Sequence, residues 1–116
     1  MRNVLLLAFG SVLAAMLWAT VTASQDRGVL QAAAEIWADP WGRATLLDAY
    51  FAFLTVWLWI AWREPNLPRR ILWLVLILTL GNFAIAAYFL IALLRLPAGE
   101  SWTAIFQPVR PRNSTP

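Results

Sequence analysis

Three apolar runs dominate the chain. The first, Val4 to Ala23, carries no charge for about 20 residues, which at 1.5 Å per helical residue matches the roughly 30 Å hydrocarbon core of a bilayer. The second, residues 44–62, is interrupted by one charge, Asp48, and the third extends from Ile71 to Leu94. The pattern predicts three membrane-crossing helices over about 4–24, 44–62 and 71–94. The first run also has traits of a secretory signal peptide: Met1-Arg2-Asn3 is a basic start and Val21-Thr22-Ala23 has the small-x-small form of a cleavage site. Its length exceeds a usual signal core and favours a retained span.

The connections carry their own signals. Gln25-Asp26-Arg27-Gly28 reads as a turn, and Val29, Leu30, Ala33, Ile36 and Trp37 then recur with helical period opposite Gln31 and Glu35. A short amphipathic helix over 29–38, lying in the headgroup zone, follows. Asp39 is placed to cap the next helix and Pro40 to occupy its first position, where a missing N–H costs nothing. Residues 63–70 form a turn with two prolines and three arginines. After Leu96-Pro97-Ala98-Gly99 the chain leaves its single transmembrane domain, 1–98. The tail, 99–116, reads as extended and flexible, with one interfacial turn at Trp102, Ile105 and Phe106.

Composition agrees with this reading: of 116 residues 61% are hydrophobic and 13% charged, about half the charge of a soluble domain. The predicted fold is therefore all-α, an integral membrane three-helix bundle with an interfacial helix between the first two spans. Cysteine and histidine are absent, which removes disulfides, thiolate and imidazole metal sites, and the usual nucleophile and acid/base constellations. The six acids show no metal-ligand spacing, so neither a metal, a cofactor nor a self-contained enzyme is expected. The net charge of +3 comes from nine arginines placed beside the apolar runs, which suits lipid headgroups rather than nucleic acid.

Each run has one face that prefers protein to lipid, since helices in a bilayer associate through small residues and hydrogen bonds. In the first run Ser11, Ala15, Ala19 and Ala23 recur every four residues; in the second, Thr45, Asp48, Ala52, Thr55, Trp59 and Trp62; in the third, Thr79, Asn82, Ala86 and Phe89. Counting from the outer ends, Ser11, Thr55 and Asn82 each lie about 16 to 18 Å deep and could form one hydrogen-bonded midplane layer. Asp48 lies only about 6 Å deep, level with Thr20, Thr22 and either Tyr88 or Tyr50.

Asp48 is the residue singled out. An acid inside a span points by default to proton or cation handling, yet near an interface it can be hydrogen-bonded, salt-bridged to Arg27 or Arg43, or protonated. The structural role is favoured, with Asp48 joining spans one and two. Asn82 reads as interhelical glue. The expected interfacial anchors are Trp37, Trp41, Arg43, Trp62, Arg63, Arg69, Arg70 and Trp73, with Trp57, Trp59, Trp62 and Trp73 forming an inner belt and Trp18, Trp37, Trp41 and Trp102 an outer one. A stacked pigment is the less common use of so many tryptophans. Arginine density places the N-terminus and the 63–70 turn in the cytoplasm and the C-terminus in the periplasm of a bacterial inner membrane.

The stretch Asp39-Pro40-Trp41-Gly42-Arg43-Ala44-Thr45-Leu46-Leu47-Asp48-Ala49-Tyr50, with Gly81-Asn82 and Ala86-Ala87-Tyr88 further on, resembles a family of small membrane proteins of bacteria and plants known as a domain of unknown function. The resemblance covers about residues 4–98 and implies the three-span architecture but no activity. Two functions suit these features. One is an accessory or assembly subunit of a larger respiratory or photosynthetic membrane complex, whose partners are lipids and other subunits. The other is a minimal transporter completed by homodimerisation.

Overall fold

A computed structural model describes residues 1–109; the expected flexibility of 110–116 falls outside the described residues. Among these the fold is all-α, with α1 (Arg2–Asp26), α2 (Val29–Ala38), α3 (Pro40–Arg63), α4 (Leu67–Leu80), α5 (Asn82–Leu94), a 3-10 turn at Trp102–Phe106, and no strand.

Two helices, α1 and α3, are long and apolar enough to cross a membrane. At 25 and 24 residues they extend roughly 37 and 36 Å. Between them lies the predicted short helix, α2. Asp39 caps α3 as its sequence position requires, its carboxylate accepting from the Gly42 N–H at 2.9 Å, and Pro40 opens the helix. Gly42 is obligatory at this elbow, because a Cβ there would overlap the backbone carbonyl of Ile36 in α2.

The third apolar run departs from expectation. It does not form one span over 71–94 but two shorter helices, α4 and α5, of 14 and 13 residues. The break is at Gly81, whose φ of 57° and ψ of −124° suit glycine alone. The Gly81 N–H closes α4 on Ile77 O at 2.8 Å, while its carbonyl accepts from Ala84 and Ile85 and starts α5. Helix ends leave carbonyls without intrahelical donors. Here the Tyr50 hydroxyl of α3 donates to Leu78 O at 3.1 Å, and the Phe53 ring fills the space where a Cβ on Gly81 would stand.

From Gly81 the chain folds back. Trp73 of α4 and Tyr88 of α5 meet edge to face with ring centroids 4.9 Å apart, whereas one continuous helix would separate their backbones by roughly 22 Å. Ile77 and Ala84, either side of the break, share a core with Ile60 of α3 and with Tyr88. The arrangement is a helical hairpin packed on α3, with a three-helix bundle of full spans replaced by two long helices and this hairpin.

α1 packs on the other side of α5. Leu5, Leu6 and Phe9 cover Ala92 and Leu93, the Phe9 and Phe89 rings stack at 4.4 Å, and Arg2 reaches the carbonyls of Leu94 and Leu96. This contact uses the bulky face of α1; its small-residue stripe of Ser11, Ala15, Ala19 and Ala23 is exposed.

The reversal also changes where the chain ends up. The N-terminus of α1, the 63–70 turn and residues 94–109 gather at one end of the molecule, where the Val109 N–H donates to Arg63 O at 2.9 Å. The expected placement of the C-terminal segment across from the N-terminus is therefore overturned, because an even number of short helices follows α3. Trp102 moves with it, packing against the α1–α5 contact rather than joining Trp37 and Trp41 at the opposite end. Within residues 99–109 the turn expected at Trp102, Ile105 and Phe106 is a capped 3-10 helix, Trp102–Phe106, and it buries Ile105.

Candidate functional site

The polar residues singled out from the sequence are not brought together. Ser11, Thr55 and Thr22 each donate to a carbonyl of their own helix, Leu7, Phe51 and Trp18 respectively. Asn82 stands exposed at the hairpin tip with no side-chain hydrogen bond. The midplane layer does not form, for two reasons. Hydroxyls in helices satisfy themselves on the preceding turn, and the break moves Asn82 to the head of a new helix.

Asp48 is likewise exposed and makes no ion pair or side-chain hydrogen bond among the described residues. Arg27, one of its expected partners, is held by Asp26 at 3.2 Å and Glu35 at 3.1 Å. Tyr88 is at the other end of the molecule, because the hairpin carries it there. Asp48 thus does not join α1 to α3.

The polar cluster of this protein is instead at the end that holds the 63–70 turn. Pro65 and Pro68 end α3 at Arg63 and delay α4 to Leu67, so Arg63 and Glu64 occupy the corner between two helices. Both are more than nine-tenths covered, with 9% and 7% of their surface exposed. The Tyr88 hydroxyl of α5 donates to Glu64 Oε1 at 2.9 Å. Arg70 Nε donates to the Glu64 carbonyl at 2.6 Å, and the indole N–H of Trp57 donates to the Arg70 carbonyl at 2.9 Å, tying the start of α4 to α3.

Arg63 is held differently. Its Nε donates to Gln107 O at 3.4 Å, and its guanidinium lies 5.7 Å from the Tyr88 ring and 5.9 Å from that of Trp59, within cation–π range. Among the described residues its Nη1 is buried without a hydrogen-bond partner, and so is Glu64 Oε2, to which Arg69 Nη1 approaches only to 4.0 Å. These groups open into a cavity of about 550 Å³ between the corner, the last turns of α5 and the tail; Arg69, Arg95 and Glu100 complete its polar lining and Leu72, Trp73 and Ile91 its apolar wall.

Of the expected anchors, Trp37, Trp41, Arg43, Trp62 and Arg69 are exposed. Arg63, Arg70 and Trp73 are not: they build the corner and the wall of the cavity. Glu64 and Tyr88 were not marked as site residues by the sequence. The signal available was Gly81-Asn82, a turn-forming pair at the centre of an apolar run, which read as a fold-back sends Tyr88 to the arginine-rich turn.

The family model described as "Protein of unknown function (DUF1475)" matches residues 2–106. No curated protein and no solved structure matches the chain.

Proposed function

The chain belongs to the DUF1475 family of proteins of unknown function, and from that premise we propose that it is an integral membrane protein acting as an accessory or assembly subunit of a larger membrane complex, respiratory or photosynthetic in type. The carrying observation is Asp48, a carboxyl on an otherwise uncharged stretch of α3, exposed and without a partner among the described residues. An acid within a span costs roughly 2.5 to 3.5 kcal/mol at the helix centre, less towards the interface, and such residues pair with protein or face water. Thr45, Ala52 and Thr55 share its face, and the small-residue stripe of α1 is equally uncovered. A second protein that presents a cation or a hydrogen-bond donor at the depth of Asp48 completes both surfaces.

In this reading α1 and α3 cross the bacterial inner membrane. The hairpin enters from the end that holds the N-terminus, since its helices, roughly 20 Å each, fall short of a 30 Å core. Arg2, Arg63, Arg69, Arg70 and Arg95 lie at that end and Arg27 and Arg43 at the other, which puts the N-terminus, the turn and residues 94–109 in the cytoplasm.

One observation favours a second reading, a minimal transporter completed by homodimerisation: apolar helices broken at glycine, as at Gly81, build substrate sites in such proteins. Mild extraction, sizing and mass spectrometry discriminate. Unlike subunits that co-purify, and whose recovery drops about 3- to 30-fold in Asp48→Leu but not in Asp48→Asn, support the subunit role, that range being the 0.6 to 2 kcal/mol of interhelical polar contacts. A homodimer whose ion or solute flux is lost in Asp48→Asn supports the transporter, and a monomer indifferent to both substitutions overturns both.

A further inference from the structure

We infer that the cavity at the 63–70 corner is a headgroup site for a phospholipid with one phosphodiester anion and a hydroxyl-bearing headgroup. The inference rests on the membrane placement proposed above, which sets the corner at the cytoplasmic headgroup level.

Two buried groups define what the ligand must supply. Among the described residues Arg63 Nη1 is a donor without an acceptor, and Glu64 Oε2 has no hydrogen-bond donor, Arg69 Nη1 standing off at 4.0 Å; both residues line the cavity. Leaving such groups desolvated and unpaired is costly. A ligand that accepts from Arg63 and, a few atoms away, donates to Glu64 relieves both. A phosphodiester linked to a polyol does this.

Charge narrows the choice. Arg63, Arg69 and Arg95 face Glu64 and Glu100 across the cavity, three cations against two anions, which leaves one positive charge for one phosphodiester. A fatty acid matches the charge but has no donor for Glu64. A phosphoethanolamine headgroup has the donor but is neutral overall. The apolar wall of Leu72, Trp73 and Ile91 continues from the polar corner along α4 and α5, where acyl chains would lie. The volume, about 550 Å³, is within the usual range for a small-molecule site and accommodates a glycerophosphoglycerol headgroup.

The test uses the full chain in nanodiscs of phosphatidylcholine containing equal minor fractions of phosphatidylglycerol and phosphatidylethanolamine, with retained lipid identified by native mass spectrometry after release. One retained phosphatidylglycerol, enriched tenfold or more over either other lipid, is expected. Arg69→Gln/Arg95→Gln, which removes two exposed cations of the lining but neither partner of the Tyr88–Glu64 hydrogen bond, should lose most of that enrichment. Equal retention of all three lipids by a chain inserted in the disc overturns the site alone, and so does unchanged enrichment in the double variant. A chain that remains outside the disc overturns the membrane placement as well. In a detergent arm, sn-glycerol 3-phosphate that stabilises the protein as strongly as phosphatidylglycerol does would show that the site takes a soluble phosphate ester, and overturns the lipid assignment.

Discussion

Replacing Gly81 with alanine tests the reversal on which the architecture depends. The residue adopts φ 57° and ψ −124°, a region closed to side chains, and holding alanine there costs about 1 to 3 kcal/mol. A second contribution is steric. The added Cβ would stand 3.0 Å from Cζ of Phe53, so the ring must shift within the core it shares with Ile60 and Ile77, an overpacking cost of about 1 to 3 kcal/mol. The sum, about 2 to 6 kcal/mol, is a large share of the 5 to 15 kcal/mol that typically holds a domain together. Reversible unfolding in mixed micelles, followed by tryptophan fluorescence, measures the loss. Combining Gly81→Ala with Phe53→Leu in a double-mutant cycle recovers the steric part and leaves the backbone part. A loss below about 0.5 kcal/mol in Gly81→Ala, within the range of inert substitutions, would refute the fold-back.

Three further substitutions are read by the same measurement. Gly42→Ala should destabilise by about 1 to 3 kcal/mol, because the obstacle is the Ile36 backbone carbonyl rather than a movable side chain. Gly10→Ala, in open space on α1, should be neutral or stabilise by up to about 1 kcal/mol as a helix-interior glycine replacement. Tyr88→Phe keeps the ring contacts with Trp59 and Trp73 but removes the donor to Glu64, and should cost about 1.5 to 3 kcal/mol, the value of a hydrogen bond to a charged group; an unchanged midpoint would mean that the carboxylate is satisfied in another way.

The first three helices were legible in the sequence; the break in the third apolar run and the packing were not. Asp39-Pro40 announces the start of α3, and the spacing of Val29, Leu30, Ala33, Ile36 and Trp37 announces α2, because capping and amphipathic period are local effects. The third run misleads for an equally physical reason. Twenty-four apolar residues satisfy any length criterion for a span, and the one residue that decides otherwise, Gly81, is tolerated in continuous membrane helices too. Its positive φ is stabilised from outside the run, by Tyr50 and Phe53 of α3. The candidate site fails with the run. Depth counted along a straight helix places Tyr88 beside Asp48, whereas the fold-back sets it on Glu64. Ser11, Ala15, Ala19 and Ala23 of α1 and Thr45, Asp48, Ala52 and Thr55 of α3 are exposed, whereas bulky side chains, Trp59 of the α3 stripe among them, make the intrachain contacts.

The pairing of α1 with α5 sets an order of events during synthesis. α1 leaves the ribosome well before α5, the helix on which it rests through Leu5, Leu6 and Phe9 against Ala92 and Leu93. At 5 to 20 residues per second, α1 waits on the order of several seconds for that partner. In the membrane placement proposed above, lipid or an insertase covers the bulky face during that interval, and α5 displaces this cover once the hairpin has turned at Gly81. Arg2 then latches onto the carbonyls of Leu94 and Leu96, so a charge at the start of α1 secures its contact with a helix made about ninety residues later.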